Sequence, residues 1–210
     1  MKKITLAIAL CATTFAVKAQ ITIDPEIGLN FNKIKTEVGD NSSESDDSKT
    51  GFRIGAGVNI PLSQGFYVKP GLFYSNKGSK TATSIGDFKT SMDYLEVPVN
   101  LGYQYKIEGG KSGGIFAEVG PYIGFGVSGK YKGENIPVIG SQETDINFGS
   151  GSDETKGFDW GFNFGAGYET PWGIYLKGQY GLGLGNLSNI DNVTSYNRGW
   201  NLSLGYRISL

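Results

Sequence analysis

The stretch Trp200-Asn201-Leu202-Ser203-Leu204-Gly205-Tyr206-Arg207-Ile208-Ser209-Leu210 alternates without a break. Trp200, Leu202, Leu204, Tyr206, Ile208 and Leu210 form one set; Asn201, Ser203, Gly205, Arg207 and Ser209 form the other. Only an extended strand, whose successive side chains point to opposite faces, separates the two sets cleanly. Working back from this segment, the same period recurs along the chain.

Strand one, 21–31, opposes Ile23, Pro25, Ile27, Leu29 and Phe31 to Thr22, Asp24, Glu26, Gly28 and Asn30. Strand two, 51–60, and strand three, 65–77, put Arg53, Lys69 and Lys77 opposite Phe52, Ile54, Leu72 and Tyr74. Strand four, beginning at Tyr94, opposes Leu95, Val97, Val99 and Leu101 to Glu96 and Asn100. Strand five, from Ile115, carries Glu118 and runs on to place Lys130 on the same polar face. Strand six, from Phe158, carries Asp159 and Glu169, and strand seven, from Leu176, carries Lys177. With the last segment the chain has eight strands, each near the 9–11 residues that a tilted membrane strand needs. Short connections at 61–65, 106–113 and 169–173 alternate with long ones at 32–50, 78–92, 130–156 and 186–198. The expected fold is all-β: an eight-stranded antiparallel up-and-down transmembrane barrel with both mature ends on the short-turn, periplasmic side.

The first nineteen residues stand apart. Lys2 and Lys3 precede an apolar run from Ile4 to Val17, and Val17-Lys18-Ala19 predicts cleavage between Ala19 and Gln20. The run is shorter than the roughly 20 residues of a membrane helix. Cys11, the one cysteine, would be needed for lipidation, but it lies inside the apolar run after Leu10. The expected organisation is a leader at 1–19 and one barrel domain at 20–210, without disulfides. Three of the 19 lysines and arginines go with the leader, leaving 16 against 20 acids and a net charge of −4. That balance excludes a basic nucleic-acid surface.

A soluble eight-stranded barrel would bury its apolar set. Here the opposite set is a poor water-facing surface, because glycine supplies much of it, but it suits a narrow interior that side chains must fill. Its charges are Asp24, Glu26, Glu96, Glu118, Asp159 and Glu169 against Arg53, Lys69, Lys77, Lys130, Lys177 and Arg207. These are expected to pair as a self-neutralising lumen network, since unpaired buried charge is costly. On the other face, Phe31, Phe52, Tyr74, Phe158, Trp160 and Trp200 fall at the long-loop ends, and Phe66, Tyr103, Tyr105, Tyr168 and Trp172 at the short-turn ends. Two aromatic bands match interfacial girdles, so membrane lipid is the expected surroundings.

Chemistry-bearing motifs are few. The chain has no histidine, which closes the histidine-based mechanisms of membrane-barrel hydrolases and acyltransferases. Glu96 and Glu118 could form an acid pair on neighbouring strands, but pairing with Lys69, Arg53 or Arg207 is the simpler expectation. The acidic loop 40–48 lacks the order of a calcium loop, and the glycines of strands six and seven precede no helix. No catalytic residue, cofactor or metal site is expected. The ending, with Ser203, Gly205, Ile208 and Leu210 in polar-x-Gly-x-x-apolar-x-apolar order, resembles the signal that outer-membrane assembly machinery reads on a last strand.

The runs Tyr94-Leu95-Glu96-Val97-Pro98-Val99, Gly120-Pro121-Tyr122-Ile123-Gly124-Phe125-Gly126 and Phe158-Asp159-Trp160-Gly161 with Gly165-Ala166-Gly167 resemble the outer-membrane β-barrel family typified by PorT, widespread in Bacteroidetes. The resemblance implies an eight-stranded barrel and a link to protein secretion in PorT itself, and offers no catalytic residues. The leading expectation is a monomeric barrel with a plugged lumen and a structural or surface-interaction role through its loops. An accessory part in a secretion or transport assembly comes second, and a narrow diffusion pore third.

Overall fold

A computed structural model describes residues 21–39, 41–44, 47–83, 86–107, 113–136, 140–151 and 154–210. The leader, with Ala19 and Gln20, lies outside them, as do Asp40 and Asp46 of the acidic loop and most of the 106–113 turn. The strands are β1 (Thr22–Val38), β2 (Asn41–Glu44), β3 (Asp47–Pro61), β4 (Phe66–Thr83), β5 (Gly86–Lys106), β6 (Gly114–Ile136), β7 (Gly140–Asp145), β8 (Phe158–Glu169), β9 (Ile174–Gly183), β10 (Val193–Tyr206) and β11 (Ile208–Ser209).

Eight of them form an antiparallel ring in the order β1-β3-β4-β5-β6-β8-β9-β10, and β10 pairs back onto β1 to close it. Closure leaves no unpaired edge, the condition for strands in hydrocarbon. The pairing from Glu26↔Gly205 to Val38↔Val193 makes this seam as long as any neighbouring ladder. The remaining pieces are short additions: β2 pairs β1, β7 pairs β6, and β11 continues β10 along Thr22 and Ile23.

The short turns are locally encoded. Between β3 and β4, Gln64 and Gly65 adopt φ of 53° and 89°. The Gln104 amide donates to the Gly65 carbonyl at 2.8 Å, so the turn is also tied to β5. A Cβ on Gly65 would lie 2.5 Å from the Gln104 carbonyl oxygen, which adds close approach to the positive φ as a reason for glycine.

Three sequence expectations are corrected. The stretches 32–50 and 78–92, read as loops, are largely strand: β1 runs to Val38, and β4 and β5 form a continuous ladder out to Thr83↔Gly86. They escaped notice because beyond the membrane both strand faces are polar. The 130–156 loop likewise begins with the β6 extension and includes β7. The third correction is Lys130. The β5–β6 register passes from Tyr94↔Gly126 to Asp93↔Ser128, leaving Val127 as an extra residue. Such a bulge reverses the facing of every residue beyond it. Lys130 is therefore exposed outside the barrel and pairs with Glu143 of β7, not with the lumen acids.

Candidate functional site

Inside the ring, the lumen residues fall into three layers. Nearest the short turns, Arg207 interrupts the strand between β10 and β11 and reaches Glu169, the side-chain amide oxygen of Gln104 at 2.9 Å and Asp24 at 3.4 Å. The middle layer joins four strands: Lys69 of β4 lies 3.1 Å from Asp24 and 3.5 Å from Glu118, and Lys177 of β9 lies 2.8 Å from Glu26 and 3.6 Å from Glu118. The Tyr67 hydroxyl donates to Glu118 at 3.0 Å, and the Tyr175 hydroxyl to Glu26 at 3.1 Å. In the third layer Glu96 accepts from both Arg53 and Lys77, and Lys77 also lies 3.3 Å from Asp159. Tyr122 and Asn197 donate to the same Asp159 oxygen, at 3.3 and 3.1 Å.

The structure thus brings together Asp24, Glu26, Glu96, Glu118, Asp159 and Glu169 with Arg53, Lys69, Lys77, Lys177 and Arg207. With Lys130 outside, acids exceed bases by one, and neutral donors make up part of the difference at Asp159. Glu96 and Glu118 hold different basic partners in different layers, so they do not form a catalytic acid pair.

Aromatic packing is what the sequence reading missed. Each of the inward aromatics Tyr67, Phe73, Tyr94, Phe116, Tyr122 and Tyr175 stands opposite a glycine on the neighbouring strand: Gly102, Gly55, Gly126, Gly167, Gly161 and Gly205. The fit is tightest at Gly205, where a Cβ would lie 2.1 Å from the Tyr175 ring. At Gly55, Gly102, Gly167 and Gly205 the opposing ring takes the place a Cβ would occupy, whereas a Cβ on Gly126 would meet the Phe148 ring and one on Gly161 the β9 backbone. The glycine excess is half of this pairing, and only cross-strand register reveals the other half. Arg53 and Lys77 also rest on rings, with Arg53 3.9 Å from the Phe73 centroid and Lys77 4.5 Å from that of Tyr122.

Above the third layer, the chain after β7 folds into the barrel mouth. Ile146 donates to the Gly129 carbonyl at 2.8 Å, and with Leu187 it packs on Met92 and Tyr94, flanked by Ile34 and Phe148. Two vestibules remain. One, of about 660 Å³ at the long-hairpin end, has an apolar floor of Met92, Leu187 and Ile34 beneath hydroxyl-bearing walls. The other, of about 630 Å³ at the short-turn end, is floored by Tyr67, Gln104, Glu169 and Arg207. Between them, among Arg53, Lys77, Glu96 and Tyr122, the cavity measures about 20 Å³, little more than one water.

The outer face is apolar from end to end of the ring, with Ile27, Leu29, Leu72, Leu101, Val119, Leu176 and Leu204 all exposed. Aromatic pairs bracket it: Phe52–Tyr74, Phe125–Phe158 and Tyr180–Trp200 toward the long hairpins, and Phe66–Tyr103 toward the short turns. An exposed apolar surface of this extent belongs against lipid.

A closed ring with a lipid-facing exterior and a polar, side-chain-filled interior defines a small membrane-spanning β-barrel of the outer-membrane kind. The chain belongs to the outer membrane protein beta-barrel domain family, whose model matches residues 15–189, and its location is the outer membrane. Among solved structures it is similar to the outer membrane protein OprG from Pseudomonas aeruginosa, with 12% identity, a TM-score of 0.55, and coverage of 92% of this chain and 98% of that one. It is also similar to Neisserial surface protein A, at 14% identity, a TM-score of 0.44 and coverage of 91% and 97%. A third is Ail, the attachment invasion locus protein of Yersinia pestis, at 15% identity, a TM-score of 0.38 and coverage of 89% and 99%. Identities this low speak to the fold alone. A search of curated proteins gives no match.

Proposed function

We propose that the protein is a monomeric outer-membrane barrel with a shut lumen, acting through the surfaces at its ends and not by passing solute or catalysing a reaction. In this reading the leader is removed between Ala19 and Gln20, both mature ends lie in the periplasm, and the long hairpins stand outside the cell. Ser203, Gly205, Ile208 and Leu210 serve assembly of the last strand. The observation that carries it is the cross-lumen network: Lys69, Lys177, Glu118, Glu26 and Asp24 join β1, β4, β6 and β9 across the interior, beneath a second layer built on Glu96. A barrel braced across its width by buried charges has no path for a solute.

The long-hairpin end offers the working surface. β1, β3, β4, β5, β6 and β10 continue well past the outward aromatic band, whereas β8 starts at Phe158 and β9 stops at Gly183, within it. The result is a raised wall around part of a cup. The alternative, an accessory part in secretion of the PorT type, gains no periplasmic or surface docking site from the first run of that resemblance, because its Tyr94 and Glu96 are buried in the lumen and its Leu95 and Val99 face outward within the apolar band.

Liposome swelling with purified, refolded protein tests the reading. Swelling rates for small sugars should match those of protein-free vesicles; appreciable flux would overturn the shut lumen and favour the pore. Stoichiometric recovery of secretion components after crosslinking in intact cells would favour the accessory role instead.

A further inference from the structure

At the long-hairpin end the outward face carries cations directly beyond the aromatic band. Phe31 and Trp200 are cross-strand partners on β1 and β10, and the next outward pair is Lys33↔Arg198. The same order appears before β8, where Lys156, Phe158 and Trp160 alternate, with Gly157 turned inward against Phe148. Lys156 is half-buried and, among the described residues, forms no ion pair. It borders a concavity of about 290 Å³ shared with Phe158, Trp160, Gly149, Gly157 and Gly185. Glycines bring backbone to its floor and the indole forms one side.

Position decides what would bind. A step of two residues places each cation about 7 Å along the strand beyond the aromatic ring below it. The headgroup layer is roughly 5–8 Å thick on each side of the hydrocarbon, so these cations stand within it. β8, β9, β10 and β1 are consecutive in the ring, so Lys156, Arg198 and Lys33 span about 15 Å of circumference. Among the described residues, Glu37 is 2.6 Å from Lys35 and close enough to feel Arg198, and Glu154 accepts from the Gly151 amide at 2.7 Å. Arg198 also has a buried Nε without a hydrogen-bond partner.

We propose that Lys156, Arg198 and Lys33 form a binding site for the phosphate-bearing headgroup of a membrane lipid, seated at the long-hairpin rim over β8, β9, β10 and β1. Its acyl chains would lie on Phe158, Trp160 and Trp200. The site would hold the lipid where the wall is lowest, beside the cup. This deepens the reading above, since it takes that end of the barrel as the lipid-facing rim of the outer leaflet.

The test uses refolded protein in a neutral maltoside detergent, with phosphatidic acid or diacylglycerol added, and native mass spectrometry to count retained lipids. Phosphatidic acid should be retained and diacylglycerol should not. The triple variant Lys33→Gln, Arg198→Gln, Lys156→Gln should lose affinity by about a hundredfold, from roughly tenfold or less per cation. Lys80→Gln with Lys89→Gln, on β4 and β5 across the ring from the site, should change nothing. Equal retention by the triple variant, or of both lipids, would overturn the site. Displacement by millimolar inorganic phosphate would reduce it to a free-anion site and overturn the lipid assignment. If the triple variant does not fold, retention by the unaltered protein must fall steeply with added salt, and a salt-independent result overturns the proposal. Orientation is read separately by labelling a Ser42→Cys variant on intact cells, so inaccessible hairpins would refute that placement without touching the detergent result.

Discussion

Glu96 accepts from Arg53 and Lys77, and all three side chains are buried. Glu96→Gln preserves the shape but leaves two buried cations short of an anion, and breaking such a group costs on the order of 3–5 kcal/mol. The urea midpoint of refolding, followed by the gel shift between folded and boiled forms, should fall accordingly. An unchanged midpoint would mean that the lumen is wet enough to screen the pair. Gly205 poses a different question, because its place in the ending suggests recognition during assembly while its place in the barrel is beneath the Tyr175 ring. If packing decides, Gly205→Ala is destabilised by about 1–3 kcal/mol in refolding without any assembly machinery, the usual cost of overpacking. Normal refolding in vitro combined with failed assembly in cells would instead make this glycine a recognition residue.

Among the strands, β7 pairs with β6, and its Glu143 bridges Lys130 and Lys132 of that strand. Hydrogen bonds from Lys130 and then Lys132 keep the Glu143 carboxyl below the usual carboxylate range. A carboxylate whose folded pKa is lowered stabilises above its unfolded pKa and ceases to do so as pH falls through the folded value. Protection of the amides of residues 140–145 against hydrogen exchange, relative to the intrinsic rate at each pH, should therefore fall as pH drops below about 4, and more gently with added salt at neutral pH, since these groups are exposed. Protection independent of both would show that backbone pairing alone holds β7. The same hairpin marks how far the sequence could be read. Strand faces from Thr22 to Tyr206 were legible where one side met lipid, because contact with lipid forces the polarity contrast. Past Phe125 the run Gly126-Val127-Ser128-Gly129-Lys130 offers little contrast, so the bulge at Val127 left no trace and Lys130 was assigned to the wrong face. The buried charges could be named from alternation alone, but their partners could not. Lys69 meets Glu118 across the barrel, and no local period records which opposite walls meet. The rings lying over glycines were hidden for the same reason.

At the level of the whole barrel, the proposed reading has two charged layers closing the lumen in series. The middle layer rests on Lys69, Lys177 and Glu118, and the next on Lys77, Glu96 and Asp159. Each spans the interior, so either alone should exclude hydrated ions, and removing one layer should leave the barrel shut. Lys69→Ser with Glu118→Ser removes one charge of each sign from the middle layer, and Lys77→Ser with Glu96→Ser does the same above it. In planar bilayers each pair of substitutions should behave like the unaltered protein, with no stepwise conductance. The four together should conduct, since an eight-stranded barrel is closed by its side chains and not by its backbone. Folding must be confirmed by the gel shift in every case, because each change also removes bracing between distant strands. Steady conductance from the middle-layer pair alone would place the whole barrier at Lys69 and Glu118. Silence from a folded fourfold variant would instead assign closure to the aromatic rings on their glycines, with the charges serving only to neutralise one another.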